Sequence, residues 1–306
     1  MQRKPMREYF PRIILLATDG SEDAKLAAKA AIDLSKRTGA ELHIVHAWRA
    51  PPHYAYPSVV PDRYNPPYEE GSRKILREQV EYIEHAGITV AEAHLLMGRA
   101  ADAILDLAEQ IGADLIVVGS RGQGPVKRLV VGSVSESLVH HAKCPVLVMR
   151  GETGAWPPFR VVIGDDLSEV AHGAAGRGAI MGGLVKAETL LVHTYEGMPP
   201  HPETMPRDDQ ELYEMMVRKH LRRVEPALEG RAAELADAYG VRPRIRIVAG
   251  ESAKVLSEVA QGGGIPSLLV VGSRGLGQGG RMLLGSVSTK ILRAASGPVL
   301  VCPPRE

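Results

Sequence analysis

The chain repeats itself over a distance far longer than a solenoid unit. The segment Val117–Gly122 recurs as Val270–Gly275, and Gly132–Ser135 recurs as Gly285–Ser288, in both cases 153 residues further along. A repeat of about 150 residues has the size of a whole domain. The sequence therefore predicts two tandem copies of one domain. The predicted domains are residues 1–150 and 151–306.

Within each copy, short apolar runs rich in β-branched residues alternate with longer segments of helical period. This alternation is typical of a parallel sheet covered by helices. The sequence thus predicts an α/β fold with two tandem open sheets, each of five parallel strands with helices on both faces. The second copy also contains a long helical segment over residues 208–239, in which Leu212, Met215, Met216 and Leu221 fall at core spacing and are expected to pack inside.

Charge and cysteine content narrow the class of protein. The 37 basic and 36 acidic residues leave a formal charge of +1, which gives no electrostatic reason to bind nucleic acid or an anionic membrane. Two cysteines exclude a disulfide framework and favour a reducing compartment. The apolar runs are shorter than the roughly 20 residues of a membrane helix, and the N-terminus lacks a secretory core. We expect a cytoplasmic protein.

A glycine-rich loop follows the fourth predicted strand of each copy, with the pattern Gly-x2-Gly-x9-Gly-Ser. Glycines let the backbone approach a ligand closely, and unpaired amides at a helix start attract an anion. The pattern therefore indicates phosphate binding at the carboxyl ends of the strands. A P-loop is not supported, because no Gly-Lys-Ser/Thr follows the glycines of either copy. The glycines of residues 275–280 have the spacing of a dinucleotide-binding loop, but no acidic residue stands about 20 positions further on to bind the ribose.

Both complete motifs resemble those of the ATP-binding universal stress proteins, and the resemblance covers nearly the whole chain. It implies sheets of strand order 3-2-1-4-5, with ATP along the ends of strands one, two and four. In the first copy it implies that Asp19 and Val45 contact the adenine and that Gly119 contacts the ribose. The residues expected at the phosphates are Gly122, Gly132, Ser133 and Val134. The corresponding residues in the second copy are Asp166, Val192, Gly272, Gly275, Gly285, Ser286 and Val287.

The resemblance also implies that the two copies pair through their fifth strands, and it leaves a homodimer of whole chains open. Mg²⁺ is expected to bridge the phosphates and water. No residue is predicted to be catalytic, so ATP hydrolysis should be slow at most. His46 and His193 recur without a second histidine or cysteine at metal spacing, so no metal site made of protein ligands is expected. The rival functions are an ATPase or phosphotransferase and a ligand-free interaction module.

Some of these residues have simpler interpretations. Ser133 and Glu136 have the spacing of a capping box, so Ser133 could only cap its own helix. Asp19 and Asp166 could be turn or cap residues. Arg121 and Arg274 could each contact either a phosphate or solvent. In the second copy Asp165 replaces a threonine, and an extra carboxylate there would repel an anionic ligand unless it meets a metal or points away. The second site is therefore predicted to be the weaker one.

Overall fold

The structure is a computed structural model that describes residues 10–49, 66–122, 132–151, 156–195, 206–275 and 285–304. The chain divides into two compact units. The first comprises Met1–Pro157 with Ser296–Pro303, and the second comprises Pro158–Ala295 with Pro304–Glu306. The domain ranges 1–150 and 151–306 stay a prediction.

The first unit is built on a sheet whose order is β3-β2-β1-β4-β5, followed by the antiparallel strand β10. Its strands are β1 (Ile13–Ala17), β2 (Glu41–Trp48), β3 (Val90–Met97), β4 (Leu115–Gly119), β5 (Val146–Met149) and β10 (Val299–Cys302). Its helices are α1 (Glu22–Thr38), α2 (Pro66–His85), α3 (Ala100–Ile111) and α4 (Ser133–His141). The predicted α/β fold and the order 3-2-1-4-5 are confirmed here. Strand β5 is the fifth strand of the first sequence repeat, and β10 is the fifth strand of the second. The two strands pair, with Val148 opposite Val299 and Leu147 opposite Leu300.

Helix α1 shows how the sequence positions the first strand's end. Ser21 is its N-cap and accepts a hydrogen bond from the Ala24 amide, and Gly39 ends the helix with a φ of 75°. The consecutive residues 14–17 of β1 are all buried, so both faces of the sheet are covered there. The register places Ala17 opposite both Val45 and Val118, which brings the carboxyl ends of β1, β2 and β4 together.

The second unit repeats the order of the first four strands, as β8-β7-β6-β9. Its strands are β6 (Arg160–Gly164), β7 (Glu188–Tyr195), β8 (Arg244–Ala249) and β9 (Ser267–Gly272). Its helices are α5 (Glu169–Val185), α6 (Arg207–Tyr239), α7 (Ser252–Gln261) and α8 (Ser286–Ala294), with a short 3-10 turn at Gly262–Gly264. Within the described residues, no helix combines the length and apolar character needed to cross a membrane.

Helix α5 is rich in glycine because it lies close to the sheet. A Cβ atom at Gly178 would come within 2.7 Å of the Ile163 side chain, and one at Gly182 would collide with the Thr189 hydroxyl. These glycines therefore lower the intrinsic stability of the helix but allow it to pack closely on the sheet.

The core face of α6 differs from the sequence prediction. Leu212, Met215 and Met216 are more than half exposed, so their predicted packing inside is wrong. The helix buries Val224, Leu228, Ala232 and Leu235 instead. Its fully buried residues all lie in the C-terminal half, whereas the N-terminal half touches β7 through His220, whose ring stacks on His193. The apolar spacing of the N-terminal half did not show which of its side chains face outward.

Candidate functional site

A cavity of about 730 Å³ opens beyond the carboxyl ends of β1 and β4 in the first unit. Parallel sheets bind ligands at this edge because the strand ends and helix starts converge there. The predicted site residues that line it are Asp19, Gly119, Gly122, Gly132, Ser133 and Val134. Val45 lies apart from that wall. Its side chain is fully buried, its carbonyl accepts the Thr18 amide at 2.9 Å, and β2 instead contributes Ala47 to the cavity.

Asp19 joins the start of α1 to the glycine loop. Its Oδ1 accepts the Ser21 amide at 3.0 Å, which forms a turn just before the helix. A Cβ atom at Gly122 would collide with Oδ2 of the same carboxylate. The Ser21 hydroxyl also donates to the Arg121 carbonyl at 3.1 Å. Asp19 is thus a turn residue whose second oxygen lies against the loop that should hold the ligand.

Gly119, the first glycine of the motif, is needed for packing. A Cβ atom there would lie 2.7 Å from the carbonyl carbon of Asp23 and 2.8 Å from the Ala24 amide nitrogen. Both are backbone atoms in the first turn of α1 and cannot swing aside. The missing side chain therefore lets β4 and α1 approach closely enough to form the cavity wall.

Three contacts close the base of the glycine loop. The Gly132 amide donates to the Ser120 carbonyl at 2.7 Å, and the Ser135 hydroxyl lies 3.0 Å from the same oxygen and 2.9 Å from the Gly132 carbonyl. The Gly132 amide is therefore already satisfied by its own chain. The nine motif residues at positions 123–131, and their counterparts at 276–284, lie outside the described residues. The same contacts recur in the second unit among Gly285, Ser288 and Ser273.

Helix α4 begins at this base without a side-chain cap. Its N-cap is Gly132, so Ser133 is the first helical residue and the capping-box interpretation of Ser133 with Glu136 is wrong. Ser133 is exposed and Val134 is half-buried, and both line the cavity. The first amides of a helix carry partial positive charge, so this end of α4 is suited to an anion.

An ion pair between the buried Asp23 and the partly exposed Arg121 forms the wall beside these amides. Asp23 accepts the Ser120 hydroxyl at 2.6 Å and pairs with the Arg121 Nε at 3.1 Å. Arg150, the buried residue that follows β5, interacts with both members of this pair. Burial lowers the pKa of Arg150 below its usual value, and the charge of Arg121 lowers it further while Asp23 opposes the shift. The interpretations offered for Arg121 from sequence, phosphate or solvent, both overlooked this carboxylate. The role of Asp23 and Ser120 could not be predicted from the sequence, because it depends on the contact between α1 and the end of β4.

The second unit places its equivalent residues in the same way. Asp166 Oδ1 accepts the Ser168 amide at 3.0 Å, and a Cβ atom at Gly275 would collide with Asp166 Oδ2. Gly272 packs against Val170, the residue that replaces Asp23, and Val192 is buried in β7. Gly285 is the N-cap of α8, so Ser286 and Val287 are its first two residues.

Asp165, the extra carboxylate of the second unit, is bound by a cation from α6. Arg231 Nη1 lies 2.6 and 2.7 Å from its two oxygens, and the Leu167 amide donates to Oδ1 at 2.7 Å. The Asp165 side chain is completely buried. Its charge is therefore neutralised inside the unit, which removes the reason for predicting repulsion of a ligand. Arg231 lies 66 residues away in sequence, so no local pattern pointed to it.

Comparison with known proteins bears on both units. A model of the universal stress protein family matches residues 11–150 and again residues 159–303. The chain belongs to the universal stress protein family. A universal stress protein of Thermus aquaticus is 40% identical over 144 residues, which cover 45% of this chain and 98% of that protein. One from Staphylococcus haemolyticus is 38% identical over 141 residues, covering 45% of this chain and 84% of the relative.

Among solved structures, a universal stress protein from Archaeoglobus fulgidus covers 95% of this chain and 96% of its own, with a TM-score of 0.67 at 24% identity. That likeness supports the fold of this universal stress protein along nearly its full length. The family relatives quoted above each match about one of its two repeats, which agrees with a tandem member.

Proposed function

We propose that this universal stress protein binds ATP in the cavity of its first unit and acts in the cytoplasm as a nucleotide-dependent stress-response regulator. The observation that carries the proposal is the start of α4. Its first residues, Ser133 and Val134, line the cavity at a helix end with a glycine N-cap. Such an end attracts phosphate through its amides and its dipole.

The phosphates would lie between this helix start and Gly122. Because the Gly132 amide already bonds Ser120, the donors assigned to the phosphates are the Ser133 and Val134 amides and the Ser133 hydroxyl. Gly122 keeps the opposite side open, next to the Asp19 carboxylate. The cavity, at about 730 Å³, lies within the size range of about 300–1,000 Å³ of small-molecule sites.

The adenine and ribose would occupy the other end of the cavity. Apolar side chains of Ala17, Ala47, Ile104 and Val118 line it and suit a flat, uncharged ring. The roles of Asp19 and Val45 at the adenine and of Gly119 at the ribose remain part of the proposal. Val45 could contribute only through its backbone, since its side chain is buried.

Charge in the cavity argues for a metal ion bound with the nucleotide and against fast chemistry. Asp19, Glu22 and Asp23 line the cavity, and the cation Arg121 beside them is paired with Asp23. A triphosphate near these carboxylates would be stabilised by Mg²⁺ that bridges phosphates and water. We propose no catalytic residue for this site.

The second unit is proposed to bind ATP as well. Its candidate phosphate donors are Ser286 and Val287, which follow the N-cap glycine Gly285. The pairing of Asp165 with Arg231 removes the repulsion expected from sequence. Gly272, Gly275, Asp166 and Val192 would take the roles of their first-unit counterparts. We therefore propose up to two nucleotides per chain.

Titration calorimetry with ATP and Mg²⁺ tests the proposal. We expect wild-type protein to bind ATP and Gly122→Val to lose first-unit binding, because the valine side chain would occupy the space beside Asp19. Gly71→Ala is the control, since its added Cβ atom in α2 meets nothing within 4 Å. Absence of ATP binding by the wild-type protein would overturn the proposal and favour a ligand-free interaction module.

A second measurement separates a regulator from an enzyme. Phosphate release from ATP with Mg²⁺ should stay below about 1 s⁻¹, the lower end of ordinary enzyme turnover. Turnover well above that rate would support the rival function of an ATPase or phosphotransferase.

A further inference from the structure

Two histidines and a glutamate meet on neighbouring strands of the first unit, on the same face of β2 as Val45. In the parallel register of β2 and β3, His43 is opposite Glu92 and Val45 is opposite His94. Side chains two residues apart on a strand share a face, so Glu92 and His94 both lie beside His43. The three can bring ligand atoms to within 4.8 Å of one another.

The spacing of the two imidazoles matches a metal centre. His43 Nδ1 lies 3.2 Å from His94 Nε2. Two nitrogens bound to tetrahedral zinc at about 2.0–2.1 Å are separated by roughly 3.3–3.4 Å. Glu92 Oε2 lies 3.8 Å from the same His94 nitrogen, which places a carboxylate on the side where a third ligand is needed. The same 3.2 Å separation also allows a hydrogen bond between the two rings when no metal is bound.

The surroundings of the pair also suit a metal ligand set. Both imidazoles are about 11% exposed and are stacked with their ring planes 17° apart, so their positions are restrained. Glu41 Oε2 lies 3.9 Å from His43 Nε2, the nitrogen that faces away from His94. This separation is longer than a hydrogen bond, so Glu41 would have to move closer to accept from Nε2 and hold the tautomer whose Nδ1 is the ligand.

We propose that His43 Nδ1, His94 Nε2 and the Glu92 carboxylate bind one divalent transition-metal ion of the zinc class. Two imidazole nitrogens and one carboxylate oxygen are typical of such ions, whereas Mg²⁺ and Ca²⁺ prefer oxygen ligands. A water molecule would complete a tetrahedral shell. The site is separate from the phosphate region and does not depend on whether ATP binds.

The second unit supplies an internal comparison. The repeat places Leu190 at the position of His43, and the β7–β8 register places Arg244 opposite Leu190 and Arg246 opposite Val192. Arg244 and Arg246 therefore stand where Glu92 and His94 stand in the first unit. A leucine and two arginines cannot bind a cation. We expect one metal ion per chain at this site.

The experiment titrates untagged, chelator-treated full-length protein with Zn²⁺ by calorimetry and with Co²⁺ by visible absorption, without nucleotide. Wild-type protein should bind one ion and give the absorption of tetrahedral Co²⁺. His94→Gln and Glu92→Gln should each weaken zinc binding at least about tenfold. His85→Gln is the matched control, because His85 is an exposed histidine whose Nδ1 contacts the Glu81 carbonyl in α2.

Circular dichroism checks the fold of each variant. The Glu92 side chain is 66% exposed, so Glu92→Gln should fold normally. Its zinc affinity therefore decides the outcome if a histidine variant fails to fold. Zn²⁺ should also raise the melting temperature of wild-type protein and of His85→Gln more than that of Glu92→Gln. Wild-type protein without zinc affinity, or unchanged affinity in both His94→Gln and Glu92→Gln, would overturn the proposal.

Discussion

Replacing Arg231 with methionine is expected to destabilise the second unit by about 3–5 kcal/mol. The substitution removes the cation from Asp165, whose side chain is completely buried, and leaves a carboxylate without its partner. The Leu167 amide, 2.7 Å from Oδ1, would remain as one hydrogen bond to that charge. A single amide cannot replace two guanidinium contacts of 2.6 and 2.7 Å, so the loss should be large.

Urea unfolding gives the free energy, and hydrogen exchange of peptides from β6 and α6 assigns the loss to the second unit. Arg242→Met is the control, because its ion pair with Glu229 is exposed on both sides and should contribute no more than about 1 kcal/mol. The double variant Asp165→Thr with Arg231→Gln copies the Thr18–Gln79 hydrogen bond of the first unit and should recover most of the stability. Wild-type stability in Arg231→Met would contradict this account of the pair.

Replacing Gly119 with alanine is expected to destabilise the first unit by about 1–3 kcal/mol. The added methyl group would overlap two backbone atoms of α1, at Asp23 and Ala24, so the helix start must move away from β4. The same movement would disturb the Asp23 contacts with Ser120 and Arg121. Overpacking of this kind is costly because a helix backbone, unlike a side-chain end, has no alternative rotamer.

Gly122→Ala provides a matched comparison within the same motif. Its added methyl group would meet only the carboxylate end of Asp19, which can rotate, so the loss of stability should be within about 0.5 kcal/mol. Neither glycine has a φ in the left-handed region, so alanine causes no backbone strain at either position. Thermal and urea unfolding of the two variants measures the difference. Equal effects from both substitutions would show that the approach of β4 to α1 is not what requires Gly119.

The strand order of the first unit was expected from the resemblance to universal stress proteins. The sequence alone was sufficient for the repeat and the α/β class. These follow from patterns that each segment carries locally, such as β-branched runs for strands and Gly39 as the end of α1. Packing of α6 was wrong because apolar spacing marks a possible face and does not say whether anything covers it. Leu212 and Met216 have helical spacing and still face outward.

The glycine motif shows the same division within the candidate site. The spacing of the glycines alone predicted where a phosphate site should lie, because glycines and the starts of helices can be recognised in the sequence. Only the tertiary structure decided that Gly119 serves packing, that the Gly132 amide is used by Ser120, and that Asp23 and Asp165 carry arginine partners. These contacts join residues that lie far apart in the chain, and a charge or an amide is satisfied by whichever group folding brings beside it.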